Sequence, residues 1–357
     1  VDLISFPPGF GHPRRRRRFG AEGRLRILLI RMMGLGDVAA ILVPAARLIR
    51  RRFPSARIEA MTFAAGIEVM ERVAEIDAVL PVGRAQWPDA LPEAMRSAAA
   101  LAAGIAAGGY DRVINFDTWF FPCFLARLVM EAGVTVEGNY ARLPTRVFLD
   151  ELAAGRLTQA YFGDQGGHAA STFPHMADWA MPWWDRFPDW PSYPHFFLGH
   201  CCGLAGALDF HLPATPDPLV RAAAGGRRLV ALCSDGRKLR YPHAAALAEG
   251  LEQAGFAVWT GGFAPGVPIG AALDGLAACD LLISVVTAAQ WLAQAVGRPT
   301  LLIPGPIAPR HLGVAAAAAP LIECQYCGQS DCPRGLDFPC LAVPPERLVA
   351  RARALLG

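Results

Sequence analysis

The sequence predicts an α/β protein built from two doubly wound parallel-sheet domains that face each other across a cleft. Three observations carry this expectation. Short apolar, β-branched runs alternate with stretches of helical periodicity, the pattern of parallel strands covered on both faces. The alternation lapses ahead of and through an aromatic-rich segment and restarts at Arg228. The chain has 357 residues, which is long for one core and suits two domains of about 150 residues each.

In the first half, 25–31 (LRILLIR) reads as a buried strand, followed by the turn Gly34-Leu35-Gly36-Asp37. Residues 38–52 have helical spacing and are closed by Pro54. Further strands are expected at 57–63, 78–82 and 112–116, with helices at 66–73, 92–108 and 121–132. In the second half, strands are expected at 229–233, 256–260, 281–286 and 300–303, with helices at 242–254, 271–278 and 288–296. The resulting division is a basic tail over 1–23 and an N-terminal domain over 24–215, with an aromatic insert at about 155–200. A C-terminal domain over 216–343 follows, with a cysteine loop at 324–340, and 344–357 is a closing amphipathic helix. Tandem sheets of this kind bind ligands outside the carboxyl ends of their strands.

Hydrophobic residues make up 53% of the chain and charged residues 18%, so the chain is expected to fold. No apolar run reaches the roughly 18 residues of a membrane-spanning helix, and no secretory signal is read at the start. The net charge of +3 comes from Arg14–Arg18; the rest of the chain sums to −2, so nucleic acid is not an expected partner. The arginine run reads as a solvated leader, or as a dock on anionic lipid worth about 1 kcal/mol per basic residue. The segment 161–197 gathers Phe173, Trp179, Trp183, Trp184, Phe187, Trp190 and Tyr193. So many aromatics must pack on something: as cover for a core, as an acceptor-binding wall, or as a membrane-interface patch. His168, His175, His195 and His200 match no metal-ligand spacing.

Gly34 and Gly36 let backbone approach a ligand at the first turn. Asp37 reads equally as a helix N-cap and as a general base. With Ala39 the turn satisfies G-x-G-x-x-A, but the second strand ends Met61-Thr62-Phe63 without the acidic residue a nicotinamide cofactor's ribose needs. The corresponding turn of the second half, Cys233-Ser234-Asp235-Gly236-Arg237-Lys238, offers a hydroxyl, amides and cations suited to a diphosphate. Lys238 is the only lysine against thirty-three arginines, which favours a chemical role over a solvated basic turn for it. Thr287 and the amides from Ala288 onward form a third phosphate-compatible helix start. Cys324, Cys327, Cys332 and Cys340 are separated by two, four and seven residues. Their spacing suggests a closed structural thiolate site for zinc or iron, with reduced thiols and disulfides as the alternatives. The other five cysteines read as buried apolar residues.

The order of these segments resembles glycosyltransferase family 9, the bacterial heptosyltransferases of lipopolysaccharide cores and their protein-modifying relatives. The resemblance rests on R-I-L-L-I-R-x-x-G-L-G-D-V with Pro44, on Tyr110-Asp111-Arg112-Val113-Ile114, on the D-L-L-I-S…T…W-L-A-Q-A-V-G-R-P stretch from Asp280 to Pro299, and on Pro304-Gly305-Pro306. It implies a GT-B fold of two Rossmann-like domains and an inverting transfer without a catalytic cofactor. The donor it implies is a nucleotide sugar, ADP-heptose; the acceptor is a lipopolysaccharide core, glycan, glycolipid or protein. Without a secretory signal or spanning run the expected location is the cytoplasm, and the arginine run adds the expectation of peripheral contact at the anionic inner membrane. Asp37 becomes the base, and Ser234, Lys238, Arg240, Thr287, Ala288 and Trp291 the donor side. The chain departs from the family at the donor turn, where Asp-Thr-Gly and, after two further residues, a histidine are replaced by Val286-Thr287-Ala288 and Trp291. That departure supports a second expectation, a catalytically degenerate GT-B protein acting as a binding or scaffold module.

Overall fold

The computed structural model describes residues 24–357 apart from positions 181, 237 and 265; the basic tail over 1–23 lies outside the described residues. The chain gathers into two compact units. One holds the chain up to Ala180 together with Phe197–Asp209, the other the residues after Ala180 up to Phe196 together with Phe210–Gly357. No helix among the described residues is long and apolar enough to cross a membrane.

The first unit is built on a six-stranded sheet of β1 (Arg26–Ile30), β2 (Arg57–Phe63), β3 (Ala78–Val82), β4 (Arg112–Asn115), β5 (Val136–Ala141) and β6 (Ala169–Ser171), in the order β3-β2-β1-β4-β5-β6. All pairings are parallel except β5 with β6. The chain runs outward from β1 through β2 to β3, then returns to place β4 on the other side of β1. A parallel sheet opens a crevice at such a switch of direction. Ile27 to Ile30 are fully buried because helices cover both faces. The helix Leu91–Ala107 presents Ala94, Met95, Ala98, Ala102 and Ile105 to the core, and Phe120–Glu131 presents Phe121, Phe124, Leu125, Leu128 and Val129. Those spacings are the buried stripe of an α-helix.

The expected helix over 38–52 is two segments, a fully buried π-helical stretch Val38–Leu42 and an α-helix Val43–Arg52. Pro44 lies in the first turn of the α-helix, directly after the π-helical stretch, so its missing N–H falls inside a continuous run of helical turns. Strands β5 and β6 were not among the expected elements.

The second unit carries β7 (Leu229–Cys233), β8 (Ala257–Trp259), β9 (Leu281–Val285), β10 (Thr300–Ile303) and β11 (Ala316–Ala317) in the parallel order β11-β10-β9-β7-β8. Its direction reverses between β7 and β9. Two α/β units with parallel sheets are thus present, as the sequence predicts.

One carboxylate device recurs in both sheets. Asp77, Asp111 and Asp280 each stand immediately before a strand, and each accepts a backbone N–H at the start of the strand alongside. The donors are Ile58 at 2.7 Å, Arg26 at 2.8 Å and Leu229 at 2.7 Å. Asp111 and Asp280 belong to the motifs that carry the family resemblance, and their role here is to fix strand register.

The aromatic insert does pack, but not as one block in the first domain. Trp179 meets Phe197 edge-on in the first unit. Trp183 stacks on Phe196 at 4.4 Å, and Trp184 stacks on His311 at 4.4 Å, in the second unit. Residues 182–196 therefore belong with the C-terminal unit, against whose residues they pack.

Candidate active site

In the first unit the site grows from the turn at the carboxyl end of β1. Gly34 has φ +78°, and a Cβ there would stand 3.0 Å from Asp37 Oδ2. The position therefore calls for glycine on conformational and steric grounds together. The Asp37 carboxylate caps no helix; it pairs with the Arg31 guanidinium, which excludes the N-cap reading. Gly36 lies within the short helical turn Leu35–Asp37. Arg31 is buried, with 7% of its side chain exposed, whereas Asp37 keeps 33%, so the carboxylate is reachable from solvent and its partner is not.

Arg31 is itself held. It donates to the carbonyl of Phe116 at 2.9 Å and lies 3.8 Å from Asp117 Oδ1. Asp117 is fully buried and accepts the amides of Met32 at 2.7 Å, Met33 at 2.9 Å, Thr118 at 3.1 Å and Trp119 at 3.4 Å. This carboxylate thus ties the ends of β1 and β4 together at the switch of the sheet and orients Arg31, which orients Asp37. Sequence reasoning missed both supports. The signal was present: Arg31 lies inside the R-x-x-G-L-G-D run and Asp117 closes the polar end of β4, Asn115-Phe116-Asp117.

In the second unit the turn after β7 is not a helix start. Asp235 and Arg240 form an antiparallel bridge, Gly236 donates its amide to Leu239 at 2.7 Å, and the helix begins only at Ala244. The expected convergence of cations on a helix N-terminus is corrected accordingly. Lys238 is exposed and pairs with Asp331 at 3.1 Å, and Arg240 pairs with Asp235 at 2.7 Å; Arg237 lies outside the described residues. Ser234 is half-buried, and its carbonyl accepts the amide of Tyr241 at 2.9 Å.

The donor turn after β9 does begin a helix, Ala288–Ala295, with Thr287 as N-cap accepting the amide of Ala289 at 3.0 Å. A Cβ on Gly236 would meet Thr287 Cγ2 at 2.8 Å and the Leu239 carbonyl at 3.2 Å. The missing side chain brings the turns after β7 and β9 together, at the point where this sheet changes direction. Ser234, Thr287 and Ala288 thus gather there. Trp291 does not: it is 5% exposed, edge-on to Tyr193 at 5.3 Å and tilted against Phe210 at 6.2 Å. It packs the interior and is withdrawn from the donor side.

All nine cysteines are free. The thiol of Cys340 is pushed up to about 11, first by burial and then by the nearby Cys327, Cys324 and Cys332, so the four share one neighbourhood. Among the described residues, however, the only three metal-capable side chains with ligand atoms within 4.8 Å of one another are His175, Asp178 and His200. A tetrahedral zinc thiolate set, with Zn–S of about 2.3 Å, has sulfurs about 3.8 Å apart. The four cysteines are therefore clustered but not drawn into coordination distance.

No protein-family model matches the sequence, and no curated protein matches it. Solved structures do. The structure of E. coli ADP-heptose LPS heptosyltransferase II superposes with a TM-score of 0.56 at 15% identity, covering 93% of this chain and 98% of that one. A family 9 glycosyltransferase from Veillonella parvula gives 0.58 at 16% identity, covering 93% and 97%. The fold is that of the family 9 heptosyltransferases. A third heptosyltransferase-like structure, the dodecameric iron-containing TibC in complex with ADP-D-β-D-heptose, gives 0.52 at 11% identity, covering 93% of this chain and 76% of that one. The GT-B architecture implied by the sequence resemblance is therefore present over nearly the whole chain.

Proposed function

We propose that this heptosyltransferase-like chain is an inverting glycosyltransferase that moves a sugar from a nucleoside-diphosphate donor to a hydroxyl acceptor. The observation that carries the reading is Asp37: a solvent-reachable carboxylate beside a glycine turn, aimed by a buried guanidinium and spent on no helix cap. The acceptor oxygen attacks the anomeric carbon as the bond from that carbon to the diphosphate oxygen breaks. Asp37 takes the acceptor's proton, and the configuration at the anomeric carbon inverts. Ser234, Thr287 and the amides at the start of the helix Ala288–Ala295 stabilise the departing diphosphate, whose charge suits a helix N-terminus. Lys238 joins them by exchanging Asp331 for a phosphate oxygen. ADP-heptose is the donor to test first, because the fold neighbours include an ADP-heptose heptosyltransferase and a complex with ADP-D-β-D-heptose. An LPS core, glycan, glycolipid or protein is the acceptor class.

The cysteine cluster serves, in this reading, as a structural zinc or iron site that pins the loop before the last helix. Tyr326, inside the C-x-x-C pair, and Phe338 both have positive φ, 64° and 38°. Backbone strain of that kind persists where other interactions over-determine the loop. Among the neighbours, TibC is iron-containing.

Val286 in place of a carboxylate, together with the buried Trp291, favours a second reading, a degenerate transferase that binds without turnover. Calorimetric titration with ADP and ADP-heptose, followed by a release assay for ADP, separates the two. Binding with ADP release supports the transferase, and binding without release supports the degenerate protein. No binding at millimolar nucleotide overturns the donor assignment.

A further inference from the structure

We infer that His175, Asp178 and His200 form a binding site for a divalent first-row transition metal, separate from the cysteine loop. Their ligand atoms all lie within 4.8 Å of one another. His200 Nε2 stands 2.9 Å from Asp178 Oδ2, and the His175 and His200 rings lie face to face, with centroids 4.8 Å apart and planes 16° from parallel.

The backbone brings the three together without relying on the His–Asp contact. A single 3₁₀ turn, closed by the Asp178 amide on the His175 carbonyl at 3.0 Å, places residues i and i+3 on one side. The His175 amide donates to the Cys201 carbonyl at 3.2 Å, which docks that turn beside His200. Pro174 closes the same junction against Gly203, where a Cβ would lie 2.9 Å from the proline ring.

Two imidazoles and one carboxylate are the donor set of zinc and of the neighbouring divalent metals, and three protein ligands leave a coordination position open. His175 is exposed and the other two are half-buried, so the ion has a path in. Binding replaces the contact between His200 and Asp178 with bonds from both to one cation, clipping the 175–178 turn to the segment around His200. The 21 residues between Asp178 and His200 hide this set from any motif search.

The test is equilibrium dialysis of the full chain against Zn²⁺, with bound metal counted per chain, for wild type, His175→Ala and His175→Cys. Metal on the cysteine loop is common to all three and cancels in the comparison. Wild type is expected to retain one equivalent more than His175→Ala, and His175→Cys to regain it. With Co²⁺ in place of zinc, His175→Cys adds a sulfur-to-cobalt charge-transfer band that wild type lacks at this site. Equal metal content in wild type and His175→Ala overturns the proposal, and so does a His175→Cys chain that regains neither the equivalent nor the band. His175 is exposed, and circular dichroism of each variant verifies that the fold is kept.

Discussion

Replacing Asp37 by asparagine removes a base while leaving nearly every contact in place. The amide oxygen still accepts from Arg31, and Arg31 keeps the Phe116 carbonyl at 2.9 Å and Asp117 at 3.8 Å. Because a third of the Asp37 side chain is exposed, solvent screens the lost ion pair, and stability should fall by about 1 kcal/mol or less. General-base catalysis contributes about 10²- to 10⁴-fold, roughly 3–5 kcal/mol of barrier. Asp37→Asn should therefore lose at least a hundredfold in kcat while its melting temperature and donor affinity stay close to wild type. Asp37→Ala, which removes one of the acceptors of Arg31, should lose the same activity and more stability. The assay is ADP release coupled to a mass-spectrometric count of glycosylated acceptor, with thermal unfolding alongside. Turnover by Asp37→Asn within about threefold of wild type would refute the assignment of the base, since the general-base range starts near a hundredfold.

The remaining predictions address the other parts of the two turns. Gly34→Ala should cost about 1–2 kcal/mol from the positive φ and push directly on the Asp37 carboxylate, so turnover should drop further than the unfolding midpoint; unchanged turnover would show that the close approach is not needed. Lys238→Ala should weaken ADP about 5- to 30-fold by titration, the range for one charge-assisted contact partly exposed to water, whereas Asp331→Ala should not weaken it. An acid limb is also expected. Burial alone would raise Asp77 and Asp280, but backbone amides and arginines outweigh it and hold both below the ordinary 3.8. A lowered folded value means the stabilisation is complete above 3.8 and is lost as pH falls through the folded value, so the urea midpoint should drop steeply only below about pH 4, and less steeply in Asp280→Asn. Elemental analysis of the purified chain should find zinc or iron that Cys327→Ser loses; a metal-free wild type would leave the cysteines as reduced thiols.

How much of this was legible in the sequence follows from where hydrophobic burial sets the pattern. Strands 57–63, 78–82, 229–233 and 300–303 were placed to the residue, because their apolar or β-branched runs end abruptly at turn residues. Strands β5 and β6 escaped because their side chains give no apolar run: Val136–Ala141 reads V-E-G-N-Y-A. Within it Gly138 has φ +87°, and a Cβ there would stand 2.3 Å from the Asn115 carbonyl, so backbone proximity sets that strand. The π-helical start at Val38–Leu42 was invisible for a related reason, since its apolar residues satisfy the helical period and only hydrogen-bond register distinguishes it. At the site, the glycine turn and its aspartate could be read directly, because chemistry and conformation both single them out. The residues that support it carried a local signal, but their pairing could not be read, because Arg31 and Asp117 are 86 residues apart in the chain and meet only when β4 pairs with β1. Trp291 was misassigned for the opposite reason. Its place in a family motif suggested a ligand contact, while Tyr193 and Phe210, which bury it, lie in segments without periodicity.

That last correction changes what the altered donor turn means. The substitutions at 286 and 291 look alike in sequence, each removing a polar group that the family resemblance places on the sugar. In the structure they are unlike. Trp291 is 5% exposed and walled by aromatic rings, so its side chain serves the packing of the second unit and reports little about the donor. Val286 is half-buried at the end of β9, beside Thr287, where a side chain can still face a ligand. The parts proposed to hold a diphosphate are in place: Thr287 caps its helix, and Gly236 lets the two turns close up. The alteration is therefore concentrated where the sugar would be read rather than where the phosphates would be held. A transferase changed in this way should keep its affinity for the nucleotide and differ in which sugar it accepts.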